Sequence, residues 1–160
     1  MVEDKKEEIK IIEINEEYMK DRLVITYVPQ DSYLFEGTIA ENIAFGWNGE
    51  TAPAMDVIVS AAKKAHADEF IKDLPEGYNT KVTAGGTNLS GGQRQRISIA
   101  RAFMKETSIV LMDEPSSALD TYSENAILEA MSVFMKNKTV IMVSHRMTGA
   151  EKFNRVVRMG

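Results

Sequence analysis

The sequence contains no cysteine. Disulfides, thiolate zinc sites and thiol nucleophiles are therefore excluded, a pattern that fits a reducing compartment. Basic residues are the minority charge: 19 Lys and Arg stand against 24 Asp and Glu, for a net charge of −5. That balance argues against a general affinity for nucleic-acid phosphates and leaves room only for a local basic patch. No apolar run approaches the length needed to span a bilayer. The opening stretch MVEDKKEEIK is charged and has no apolar centre, so it is not a secretory signal. Any role at a membrane would be played from the cytoplasmic side through a partner.

What is present is the composition of an ordinary globular domain, 160 residues long and 44% hydrophobic, enough for one core. Ile9, Ile11, Ile12 and Ile14 suggest a first strand, and Leu23 to Val28 a second, stopped by Pro29. Thr38 with Glu41 is a capping-box pattern that starts a short helix. From Pro53, placed in a first turn, Met55, Ile58, Val59, Ala62 and Ala65 fall at helical spacing. Phe70, Ile71 and Leu74 continue a shorter face, and Pro75, Gly77 and Thr83 to Thr87 break it. A helix over about Gly91 to Met104 follows. Ile109 to Met112 and Thr139 to Val143 are short continuous apolar runs, as expected of strands buried on both faces. Between them Ala126, Ile127, Ala130, Met131 and Phe134 form a helical stripe, and Val156 to Met159 suggests a last strand. Strand and helix alternate in the second half, which predicts a parallel α/β sheet with the helical middle set apart from it.

Chemistry concentrates between Asn88 and Asp120. Ser90 and Gln93 can close a capping box, while Gly91 and Gly92 bring bare N–H groups to a helix N-terminus, where an anion is favoured. Asp113 and Glu114 fall beyond the carboxyl end of a strand, where ligands of open parallel sheets collect. Neighbours on an extended chain point opposite ways, so the two carboxylates should have different roles. Taken alone, the pair reads more readily as a solvated acidic strand end. Asp120 can cap the helix beginning at Thr121. His145 also follows a strand-like run, whereas His66 reads as structural or surface-borne. Gln30 sits in a Pro-Gln-Asp turn after a strand and carries no signal by itself.

Together LSGGQRQR, IVLMDE, SALD, VSHR and ITYVPQ resemble the ATP-binding domain of ABC transporters. DSYLFEGTIAENI and AAKKAHADEFIKDLPEGYNTKV resemble exporter-type members in particular. The resemblance implies ATP and Mg2+ as cofactors. It implies Asp113 as the Walker B metal ligand and Glu114 as the general base for the attacking water. Gln30 becomes the Q-loop glutamine near metal and water, and His145 the switch histidine at the γ-phosphate. Ser90, Gly91, Gly92 and Gln93, with Asp120 of the D-loop, become contacts to nucleotide across a head-to-tail dimer. The implied partners are a second nucleotide-binding domain and a transmembrane domain or subunit, at the cytoplasmic face of the membrane, with no nucleic acid. The implied fold is a P-loop NTPase α/β domain. About 36–106 would form an inserted helical subdomain, and about 9–35 and 107–160 parts of the parallel core.

Three departures qualify the resemblance. No Gly-x-x-x-x-Gly-Lys-Ser/Thr loop occurs, so the expectation is a partial domain that lacks the Walker A strand and binds MgATP weakly or not at all by itself. Val82-Thr83-Ala84-Gly85-Gly86 has no glutamate where exporters carry one toward the membrane subunit. The sequence stops at Gly160, where the family continues. Without the Walker A strand, Thr139 to Val143 would have an unpaired side, which predicts a rearranged sheet or a homo-oligomer through the gap. Two other functions remain open: a non-catalytic module supplying LSGGQ in trans, or a non-transport ABC ATPase. The exporter-like run Tyr33 to Ala44, the missing coiled coil and the acidic balance argue against the second.

Overall fold

A computed structural model describes residues 25–105, 107–113, 121–134, 136, 138–144 and 153–157. The strand expected over Ile9 to Ile14 and the start of the one expected from Leu23 lie outside the described residues, as do Glu114, Asp120 and His145.

Three parallel strands form the sheet: β1 (Ile25–Val28), β4 (Ile109–Asp113) and β5 (Thr139–Val143), in the order β1-β4-β5. Thr26 pairs with Val110 and Val110 with Val140; Val28 pairs with Met112 and Met112 with Met142. This register puts Val28, Val110 and Met112 on one buried face, continued by the half-buried Val140 and Met142. The helices over that face are α4 (Gly91–Phe103) and α5 (Thr121–Phe134). Ile97, Ile99 and Ala100 of α4 and Ile127, Ala130 and Met131 of α5 complete one continuous core with it.

The opposite face is not covered in the same way. Ile25, Tyr27, Ile141 and Val143 are between 42% and 58% exposed. The expectation that β4 and β5 are buried on both faces is therefore corrected: β4 alternates between buried and half-buried residues, and β5 between half-buried and exposed ones. A continuous apolar run reports the hydropathy of both faces. It does not reveal which face the surrounding chain covers. Among the described strands β5 pairs only with β4. Val156 and Val157 are exposed and not in a strand.

The segment from β1 to β4 is mostly helical. A two-residue antiparallel ladder joins β2 (Gly37–Thr38) to β3 (Lys81–Val82) and closes this segment on itself. Out of it come α1 (Ile39–Ala44), α2 (Met55–Lys64) and α3 (Asp68–Asp73). The box at Thr38 forms as expected: Glu41 N–H donates to Thr38 Oγ1 at 3.0 Å, and Thr38 N–H to Glu41 Oε2 at 2.6 Å. Pro53 stands one residue before the N-cap Ala54 of α2, outside the helix rather than in its first turn. The inner face of α2 is Ile58, Ala61 and Ala62, while Met55 is 46% exposed. At its centre lies α4, packed against α1, α2, α5 and β1, which explains why its whole middle from Gln95 to Ala100 is buried.

Gly46 and His66 show where the backbone had little choice. A Cβ on Gly46 would lie 1.9 Å from the carbonyl oxygen of Arg101, so α1 and α4 approach too closely for any side chain. His66 turns the chain between α2 and α3 with φ of 52°, a left-handed conformation that histidine tolerates better than most residues. Its ring lies between carboxylates, Glu69 at 3.5 Å from Nδ1 and Glu129 of α5 at 3.2 Å from Nε2.

Candidate nucleotide-facing site

Parallel strands deliver their carboxyl ends to one edge. Val28 is the register partner of Met112, and Asp113 that of Val143. The turn Pro29-Gln30, Asp113 and Ser144 thus emerge side by side from neighbouring strands, with Gln30 exposed and Asp113 half-buried. Glu114, which follows Asp113 in the sequence, and His145, which follows Ser144, lie outside the described residues. Asp113 shares the uncovered face with Tyr27, whose hydroxyl donates to Asp113 Oδ2 at 3.2 Å. Partial desolvation, then that hydrogen bond and the negative charge, raise the Tyr27 phenol above its ordinary range. Tyr27 was not singled out in the sequence; β pairing across 86 residues is what brings it to Asp113.

The second piece is the start of α4. Gln93 N–H donates to Ser90 Oγ at 3.2 Å, and Ser90 N–H donates to Gln93 Oε1 at 2.9 Å, so the capping box is reciprocal. Ser90 and Gly91 face solvent and Gly92 is buried. The first N–H groups of α4 have no intrahelical acceptor, so they point out of an open, capped terminus where the helix dipole favours an anion. Arg94 steadies the approach by donating to the Leu89 carbonyl at 2.7 Å, and Arg96 reaches the His66 carbonyl at 3.0 Å. Arg96 also lies over the Phe70 ring, 4.8 Å from its centroid.

Between the two pieces runs the segment from Ser32 to Asn42, tied to α4 by contacts that no local pattern announces. Arg101 donates to the carbonyls of Asn42 at 2.9 Å and Tyr33 at 3.1 Å, and to Asn42 Oδ1 at 3.0 Å. Its guanidinium sits over Phe35 and Phe45, 5.2 and 5.7 Å from the ring centroids, and burial lowers its pKa from the usual value. Phe35 packs edge-on to Tyr33 and tilted against Phe45. Tyr27, Tyr33, Phe35, Phe45 and Arg101 line a groove of about 220 Å³ beside the Gln30 turn. Tyr33 is 57% exposed and Phe45 67%, a large aromatic patch for a surface. The turn at 84–86 leans on the same segment, with Gly85 N–H donating to the Leu34 carbonyl at 2.9 Å.

The described oxygens at the strand ends, a carboxylate and an amide, are of the kind a hard divalent cation takes. Among the described residues no helix is long and apolar enough to cross a membrane.

Comparison with known proteins agrees with this arrangement. The ABC transporter family profile matches residues 2–117. The ATP-dependent lipid A-core flippase of Vibrio cholerae is 45% identical over 130 residues, which is 81% of this chain and 22% of that protein. ABC transporter B family member 13 of Arabidopsis thaliana is 48% identical over 130 residues, 81% of this chain and 10% of that protein. A solved structure of a bacterial Atm1-family ABC exporter with ATP bound superposes with a TM-score of 0.73 at 42% identity, covering 80% of this chain and 22% of that one. The chain thus spans about a fifth or less of the length of these relatives. With its signature helix, parallel sheet and exporter-like helical segment, the chain belongs to the ABC transporter family, as an exporter-type ATP-binding domain sequence.

Proposed function

We propose that this chain supplies the signature helix and the metal-facing strand ends of an ATP-binding domain that couples ATP hydrolysis to export across a membrane. The observation that carries the proposal is the common edge at which parallel β1 and β4 present Gln30 and Asp113. Asp113 and Gln30 would hold Mg2+. That ion, when bound, neutralises charge on the phosphates. Glu114 takes the proton of the attacking water, and His145 hydrogen-bonds the γ-phosphate. Ser90, Gly91, Gly92 and Gln93, with Asp120, face the nucleotide held by a second domain. Residues about 36–106 act as the helical subdomain, and about 9–35 and 107–160 as parts of the core.

Three surfaces support the partners in this reading. A second nucleotide-binding domain meets the Ser90 end of α4. The aromatic groove at Tyr33, Phe35 and Phe45 is, in this reading, the seat for a segment of a transmembrane domain, with the chain at the cytoplasmic face. The edge of β5 away from β4 recruits a second copy when no strand covers it. Sedimentation of the purified chain then shows a dimer, and a monomer at all concentrations rules that pairing out.

The function is tested by mixing the chain with the ATP-binding domain of a similar exporter whose own signature serine is replaced. Restored ATPase activity that disappears with Ser90→Arg supports the reading. No change in rate in either direction overturns it.

A further inference from the structure

Four residues separate the end of β1 from the first pinned carbonyl of the next segment: Pro29, Gln30, Asp31 and Ser32. Gln30 and Asp31 are exposed. Ser32 is 9% exposed, and its hydroxyl donates to Oε1 of Gln95, which is 3% exposed and lies on α4 five residues beyond Ser90. The other end of the same amide, Gln95 Nε2, is buried and makes no hydrogen bond among the described residues.

That combination is unusual. A buried amide with an orphaned N–H2 is penalised, and a methionine would fill similar space without the penalty. What the amide provides is a directional bond from the signature helix to the turn that carries Gln30. A helix is rigid over one and a half turns, about 7.5 Å of rise, so Gln95 moves with Ser90 and Gly91. We propose that Ser32 and Gln95 are a positioning pair, which fixes the Gln30 turn to the signature helix and makes displacement at either one felt at the other. Arg101 and Asn42 fasten the segment from Tyr33 onward. On the side toward Tyr33, Ser32 is the buried described residue nearest to Gln30 in the sequence.

This inference deepens the reading of Gln30 and Ser90 as nucleotide-facing and rests on it for its purpose, but the pair can be tested without nucleotide. The experiment is NMR relaxation and chemical-shift mapping on the full 160-residue chain. Gln95→Met and Ser32→Ala should each lower the backbone order parameters of Gln30 and Asp31 from about 0.85 to below about 0.6. The double variant should go no further, and Ser32→Thr, which keeps the hydroxyl, should restore the wild-type values. Ser32→Ala should also shift the amide resonances of Gly91 to Gln93. The double variant Ser32→Ala with Gln95→Met should leave the melting temperature unchanged or raised, because it removes the orphaned amide without stranding the Ser32 hydroxyl; a pair with only a packing role would not combine that with a loosened turn. Gln95→Leu also removes the acceptor at similar volume and serves in the same way if the methionine variant does not fold. Unchanged order parameters in the single variants, or effects that add in the double, overturn the proposal. A loosened turn together with no effect of this chain on a partner's ATPase would leave the pair standing and remove the nucleotide-facing reading instead.

Discussion

Asn42 is the residue whose loss the structure prices most directly. It is 2% exposed, and its side chain uses its full hydrogen-bonding capacity. Oδ1 accepts from Phe35 N–H at 2.8 Å and from Arg101 Nη2 at 3.0 Å, while Nδ2 donates to the carbonyls of Phe35 at 2.9 Å and Thr38 at 3.0 Å. Asn42→Ala removes all four bonds. At about 1 kcal/mol net each the upper figure is about 4 kcal/mol, and partial rehydration of the groups around the exposed Phe35 brings the expectation to about 3 kcal/mol. For a domain of this size that corresponds to a fall in Tm of about 6–12 °C. Asn42→Asp separates the contributions. It keeps the acceptor for Phe35 and strengthens the pairing with Arg101. It loses both donors and sets a carboxylate against two carbonyls, so about 1–2 kcal/mol should be lost. Thermal and urea unfolding of the chain, followed by circular dichroism, give both numbers. A shift below about 3 °C for Asn42→Ala, or an aspartate as costly as the alanine, would refute this account of how the segment from Tyr33 to Asn42 is held.

Other consequences are as accessible. Gly46→Ala places a methyl group 1.9 Å from the Arg101 carbonyl oxygen, so α1 and α4 must separate; a loss of at least about 2 kcal/mol is expected in urea unfolding, and a change within about 0.5 kcal/mol contradicts it. Asp68 is buried, which by itself would raise its carboxyl. Hydrogen bonds from Lys72 at 2.6 Å and Tyr78 at 2.7 Å, with the charges of Lys72 and Lys63, outweigh burial and hold it below the ordinary value. Because the folded pKa is the lower one, this contribution is complete above the unfolded carboxyl value of about 3.9 and disappears as pH falls through the folded value. Asp68→Asn should therefore flatten the acid limb of stability against pH; an unchanged limb counts against the network. The 160 residues contain no Gly-x-x-x-x-Gly-Lys-Ser/Thr loop, so a fluorescent ATP analogue should bind the chain weakly, with little dependence on Mg2+. Tight, Mg2+-dependent binding would show that other groups cradle the phosphates.

The sequence by itself determined whatever depends on neighbours along the chain. The capping boxes at Thr38 and Ser90 need only a hydroxyl and a Glu or Gln three residues on, and both formed as read. The apolar stripe of α5 and the runs of β4 and β5 became the expected elements, because helical and strand periodicity are local properties. The motif strings that carry the family resemblance are local as well. Only the tertiary structure decided which face of the sheet is packed, and there the reading of β5 as buried had to be corrected. It alone joined Tyr27 to Asp113, Ser32 to Gln95 and Asn42 to Arg101, pairs 86, 63 and 59 residues apart. At such separations no spacing rule applies. Strand register and the seat of α4 fix these partners, and both arise from burying the whole chain at once.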